Sequence, residues 1–166
     1  RDVELLLATV RTGLNLELAA DEEVLALAEG WSPEQATLVP ERREEVTTEG
    51  GLDLGAERRG RIGDAVERLR GAGVRTALFI DPDPGAVAAA AELGADAVEL
   101  HTGEYADAGS REGRREQLRR LRRAAREVVG AGLDAHAGHG LTYENVAPVA
   151  AIPELEELNI GHSVVS

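Results

Sequence analysis

The stretch Ala97-Val98-Glu99-Leu100-His101-Thr102 puts Val98 and Leu100 on one side of an extended chain and Glu99 and His101 on the other. Successive side chains of a strand point to opposite faces, so Ala97 to Leu100 reads as a strand with polar groups gathered on one face and at its C-terminal end. The same arrangement recurs outward in both directions. Leu14-Asn15-Leu16-Glu17-Leu18 alternates with period two, its leucines opposite Asn15 and Glu17. Thr37 to Val39 ends at Pro40 and Glu41, and Val74 to Ile80 ends at Asp81. Leu133 to Ala137 ends at Gly138-His139-Gly140, and Leu155 to Ile160 ends at Gly161-His162.

Helical patterns fill the intervals. Arg1 to Thr12 carries Val3, Leu6, Leu7 and Val10 at helical spacing, with Gly13 as its stop. Glu22 to Gly30 follows an N-cap at Asp21, and Ala56 to Ala72 ends at Gly73. Gly85 to Leu93, Arg111 to Gly130 and Tyr143 to Ala151 complete the set. Glu41 to Asp53 reads as a long polar loop, as does the segment from His101 to about Ser110. Such alternation implies parallel strands joined by right-handed helical crossovers.

An open doubly wound sheet and a closed barrel both satisfy that pattern. No glycine-rich dinucleotide fingerprint follows an early strand, and polar groups sit at the C-terminal end of every strand. A barrel gathers those ends on one rim, where its active sites are built, whereas an open sheet would divide them about one crevice. The expected fold is α/β, a (β/α)8 TIM barrel, present here as an incomplete barrel of about six βα units in one domain, residues 1–166.

Carboxylates on the inner face of a barrel mouth are partly desolvated, and burial raises a carboxyl pKa toward values useful in proton transfer. Glu17 and Glu99 are the expected pair, with His139 as general acid or base between two glycines. Ala137 to Thr142 and Asn159 to Ser163 each pass from strand to helix start through glycine, so both segments are expected to cradle phosphate, with His162 a phosphate or substrate contact. His101 and His136 fit a structural or a functional part equally. No zinc spacing links the histidines, although nearby carboxylates leave a metal open. The run Arg111 to Arg126 reads as a solvated helix face paired with Glu112, Glu116 and Glu127.

Composition narrows the partners. The net charge of −13 comes from 31 acidic and 18 basic residues, all of the latter arginine. An acidic field disfavours nucleic acid and anionic lipid, so a phosphorylated ligand needs a local cradle. Cysteine is absent, which rules out disulfides and thiolate metal sites. No apolar run reaches membrane-spanning length and no signal peptide leads the chain, so a cytoplasmic setting is the expectation.

Several strings are distinctive beyond their periodicity: LNLELA (Leu14 to Ala19), LVPERREEVTTEGGLD (Leu38 to Asp53), LFIDPD (Leu78 to Asp83), VELHTGEYADA (Val98 to Ala108), AGHGLTYENV (Ala137 to Val146) and ELNIGHSVV (Glu157 to Val165). Together they resemble the pyridoxine 5'-phosphate synthase family over nearly the whole chain. The resemblance implies condensation of 3-amino-2-oxopropyl phosphate with 1-deoxy-D-xylulose 5-phosphate in vitamin B6 biosynthesis, with no cofactor and no metal. It implies Glu17 as a general base, His139 as a proton donor and Glu99 as a transition-state stabiliser. It also implies Thr47 as a substrate contact on a closing loop, and Gly140, Gly161 and His162 as the phosphate-binding groups.

The family's opening strand with Asn-x-Asp-His, its second strand with a catalytic His and a substrate-binding Arg, and its final helix have no counterpart in these residues. Strands three to eight are therefore expected here, in a chain cut at both ends that does not complete the reaction alone. Free strand edges invite pairing, so a homo-oligomer is expected. Two alternatives stand beside this reading: a non-catalytic truncated or engineered barrel piece, and another phosphate-binding barrel enzyme. A Schiff-base aldolase is disfavoured, because it needs a lysine and there is none.

Overall fold

The computed structural model describes residues 1–40 and 50–165. Among them helices and strands alternate as α1 (Asp2–Thr9), β1 (Asn15–Ala19), α2 (Glu22–Trp31), β2 (Gln35–Val39), α3 (Ala56–Gly71), β3 (Arg75–Ile80) and α4 (Pro84–Glu92). The order continues as β4 (Ala97–His101), α5 (Gly103–Ala106), α6 (Arg111–Gly130), β5 (Asp134–Gly138), α7 (Val146–Ala150), β6 (Leu155–Asn159) and α8 (His162–Val165).

All strand pairings are parallel and follow chain order from β1 to β6. An order without reversal has no switch-point crevice of the kind an open doubly wound sheet uses. The curvature is equally telling. Laid flat, six strands would set β1 and β6 about 24 Å apart, five spacings of about 4.8 Å. Instead Asn15 Nδ2 of β1 donates to Glu157 Oε1 of β6 at 3.3 Å. The six strands thus form a curled half-barrel of alternating βα units, consistent with an incomplete TIM barrel.

The convex face carries the apolar half of each alternation. Leu18, Leu38, Leu78, Val98, Leu100, Ala135 and Ala137 are buried there against Leu25 and Ala28 of α2, Val66 and Leu69 of α3, Val87 and Ala90 of α4, and Leu121, Ala125 and Val128 of α6. The arginine-rich α6 docks because Leu121, Ala124, Ala125 and Val128 recur at helical spacing along one stripe. Its guanidiniums pair differently from the sequence expectation. Arg119 does meet Glu116, but Arg120 reaches Glu104 on α5 and Arg126 lies 3.7 Å from Glu154, rather than pairing with Glu112 and Glu127.

Helix starts follow local chemistry. The Asp21 carboxylate accepts from the N–H groups of Glu23 and Val24, and Asp83 accepts from Gly85 and Ala86. Each such cap contributes about 1 kcal/mol. Several boundaries differ from expectation, among them the end of α1 at Thr9 rather than Thr12 and the start of β2 at Gln35 rather than Thr37. The loop expected up to Ser110 contains α5, a single turn too short for periodicity to reveal. Helix α7 begins three residues late, because the Asn145 side chain turns back to accept from Thr142 N–H and donate to the Gly140 carbonyl. After Gly161 a turn of helix, α8, is present.

Candidate active site

Glu99 stands at the centre of the concave face. It lies on β4, opposite His136 in register, and is 3% exposed. Asn159 Nδ2 of β6 donates to its Oε2 at 2.6 Å. Burial pushes the Glu99 carboxyl up to about 7, the hydrogen bond from Asn159 opposes this, and the negative charges of Glu17 and Glu157 raise it further. A carboxyl with that value is populated in both protonation states near neutrality, the condition for moving protons in either direction.

Gly138 makes room for it. A Cβ there would come within 2.1 Å of Glu99 Oε1 and 2.9 Å of the Asn159 carbonyl oxygen, so only glycine fits beside the carboxyl. Sequence alone reads Gly138 as part of a tight turn; the demand comes from the neighbouring strand. Glu17 shares the concave face two residues beyond Asn15, and it is exposed. Asn15 is held in turn by Thr37 Oγ1, which donates to Asn15 Oδ1 at 2.9 Å.

His139 projects from the turn after β5 with φ of 79°, a left-handed conformation rare for a residue with a side chain. Thr102 fixes that turn by donating its hydroxyl to the carbonyls of Gly138 and His139 and its N–H to Gly138. Such backbone strain costs roughly 1–3 kcal/mol and persists where surrounding contacts dictate it. The His139 ring lies 5.0 Å from that of His101, which is buried at the end of β4. His136 is also buried on the concave face. Its Nδ1 has no hydrogen-bond partner and sits 4.0 Å from Glu157 Oε1; desolvation lowers its pKa, opposed by Glu157.

The two glycine turns lie side by side, tied by Ser163 Oγ donating to the Leu141 carbonyl at 2.8 Å. Gly140 has φ of 75°, and a Cβ would meet Ala106 of α5 at 2.7 Å, a packing demand distinct from any ligand. Gly161 and His162 are exposed at the start of α8. Thr47 lies outside the described residues. Among the described residues no group of three or more His, Cys, Asp or Glu side chains is placed to hold a metal, and no helix is long and apolar enough to cross a membrane.

Glu17, Glu99 and His139 thus stand on or above one concave face, with the paired turns of Gly140 and Gly161 nearby. Sequence reasoning missed Glu157 and Asn159 as partners of the site. The signal was present in the alternation of Leu155-Glu156-Glu157-Leu158-Asn159, but a register shift at Ala135/His136 decides which of these face inward.

A parallel βα half-barrel with buried acid and imidazole groups at the C-terminal ends of its strands has the architecture of a (β/α)-barrel enzyme. Its core alone would suit many chemistries. The family model described as "Pyridoxal phosphate biosynthesis protein PdxJ" matches residues 1–166, and the chain belongs to that family. A relative from a Synechococcus species named pyridoxine 5'-phosphate synthase is 57% identical over all of this chain and 69% of its own. One of the same name from Magnetococcus marinus is 52% identical, covering 100% of this chain and 68% of its own. Among solved structures, the BexX/CysO complex of Amycolatopsis orientalis superposes on 86% of this chain and 52% of that one, with a TM-score of 0.55 at 16% identity, a likeness of fold.

Proposed function

We propose that the protein acts as its named relatives do, as a pyridoxine 5'-phosphate synthase. It condenses 3-amino-2-oxopropyl phosphate with 1-deoxy-D-xylulose 5-phosphate, releasing inorganic phosphate and water. Joining an amine to a carbonyl and closing a ring both require protons to be taken from carbon or nitrogen and delivered to departing oxygen. The observation that carries this reading is Glu99, a buried carboxyl held near neutrality in the family's motif Val98-Glu99-Leu100-His101-Thr102.

In this reading Glu17 takes the proton, His139 delivers one, and Glu99 stabilises charge between them. Gly140, Gly161 and His162 hold a substrate phosphate, supported by the bond between Ser163 and Leu141 that keeps their turns adjacent. Thr47 contacts substrate from a segment outside the described residues. The six strands correspond to the third to eighth of a closed barrel, which puts both glycine turns after strands seven and eight, the usual phosphate corner. A cytoplasmic homo-oligomer belongs to the same proposal; exposed Leu5, Leu6 and Val10 at α1 favour self-association.

The test supplies both phosphorylated substrates to the intact enzyme and follows pyridoxine 5'-phosphate by chromatography. Product is expected, with turnover of Glu99→Gln reduced on the order of 100-fold. Absence of product from the wild type, or full turnover by Glu99→Gln, overturns the reading.

A further inference from the structure

Side chains from three successive strand ends lie in sequence, Asp81 against His101 and His101 against His139. Asp81 follows β3, His101 closes β4 and His139 stands in the turn after β5. Asp81 Oδ1 lies 3.1 Å from His101 Nδ1 and also accepts the Gly51 N–H at 3.0 Å. The hydrogen bond with His101, then that from Gly51, holds the Asp81 carboxyl below its ordinary range against partial burial. An ionised carboxylate can only accept, so Nδ1 of His101 carries the proton of this hydrogen bond.

A Cβ built on Gly103 would stand 2.5 Å from His101 Nε2 and 3.4 Å from His139 Cδ2, so one small space borders both rings. Their centroids are 5.0 Å apart and tilted by 60°. Phe79 stands against the same pair, edge-on to His101 at 5.1 Å and 6.4 Å from His139. His139 stands on a strained turn with the rings of His101 and Phe79 beside it.

We propose that Asp81 and His101 are a positioning pair for His139: Asp81 fixes the tautomer and orientation of His101, and the His101 ring aims His139 at the substrate. The proposal rests on the reading of His139 as proton donor. Neither residue needs to touch substrate; they act through the third.

The experiment uses the intact enzyme and the variants Asp81→Asn, His101→Gln and His139→Ala, with long-range proton–nitrogen NMR on the imidazoles and steady-state kinetics. In Asp81→Asn the His101 tautomer is expected to become mixed and the His139 ring resonances to move. Its kcat should fall roughly 10- to 100-fold with KM within about twofold, since aim is lost and binding is not. His101→Gln, which retains bulk and an acceptor but no ring, should show the same kcat-directed loss. Unmoved His139 resonances, or loss of turnover that only tracks loss of folded protein, overturn the pair. Full turnover by His139→Ala overturns the proton-donor reading itself, whereas inactive His139→Ala beside fully active Asp81→Asn overturns the pair alone.

Discussion

Replacing Glu99 by Gln removes a titrating group from a buried position while keeping its shape and an oxygen for Asn159 to donate to. The Glu99 carboxyl titrates at about 7 in the folded protein against an ordinary value of 4.5. A carboxyl raised on folding favours the folded state fully below its unfolded value, and that contribution is lost as pH rises through the folded value. At about 1.4 kcal/mol per tenfold step in the proton equilibrium, the loss between pH below 4.5 and pH above 7 is about 3 kcal/mol. Urea unfolding at pH 5 and at pH 8 measures it. Wild type should lose most of that stability between the two conditions relative to Glu99→Gln, and the variant should be the more stable at pH 8. If Glu99→Gln unfolds earlier than wild type at both pH values by the same margin, desolvation of Glu99 is not the governing effect.

Asn159→Leu removes the hydrogen bond that lowers the Glu99 pKa, so a carboxyl carbon titration should find Glu99 shifted above its wild-type value of about 7. Gly138→Ala drives a methyl into Glu99 Oε1 and the Asn159 carbonyl, and thermal unfolding should show a loss of roughly 1–3 kcal/mol together with reduced turnover. Asp83→Ala unties the start of α4, and chemical denaturation should show a loss of about 1 kcal/mol.

Period two in Ala97 to His101 and in Leu14 to Leu18 was enough to place Glu99, His101 and Glu17 on an inner face, because one apolar face of each strand had to meet the helices. What lay beyond reach depended on pairing between strands. Asn159 reaches Glu99 only because β6 is displaced against β5 at Ala135/His136, and nothing local in Leu155 to Asn159 records that displacement. Gly138 looks like a turn glycine in its own segment, yet its constraint comes from β4. The guanidiniums of α6 find Glu104 and Glu154 across tertiary gaps, which helical spacing cannot anticipate. Thr47 lies outside the described residues.

The unbroken strand order also bears on how the chain folds. Every strand pairs with its neighbours in sequence, so each βα unit can dock on the one before it after closing a short loop. Thr37 and Asn15 meet across 22 residues, whereas Asn15 and Glu157 meet across 142. Closing the longer loop from a random chain costs about 1.7 kcal/mol more, by the logarithmic dependence on length. A single side-chain hydrogen bond contributes only about 0.5–1.5 kcal/mol, too little to lead such a search. The bridge between the first and last strands is therefore a late event, made when the intervening units have already brought the ends together, and it belongs to the part of the free energy that governs unfolding more than folding.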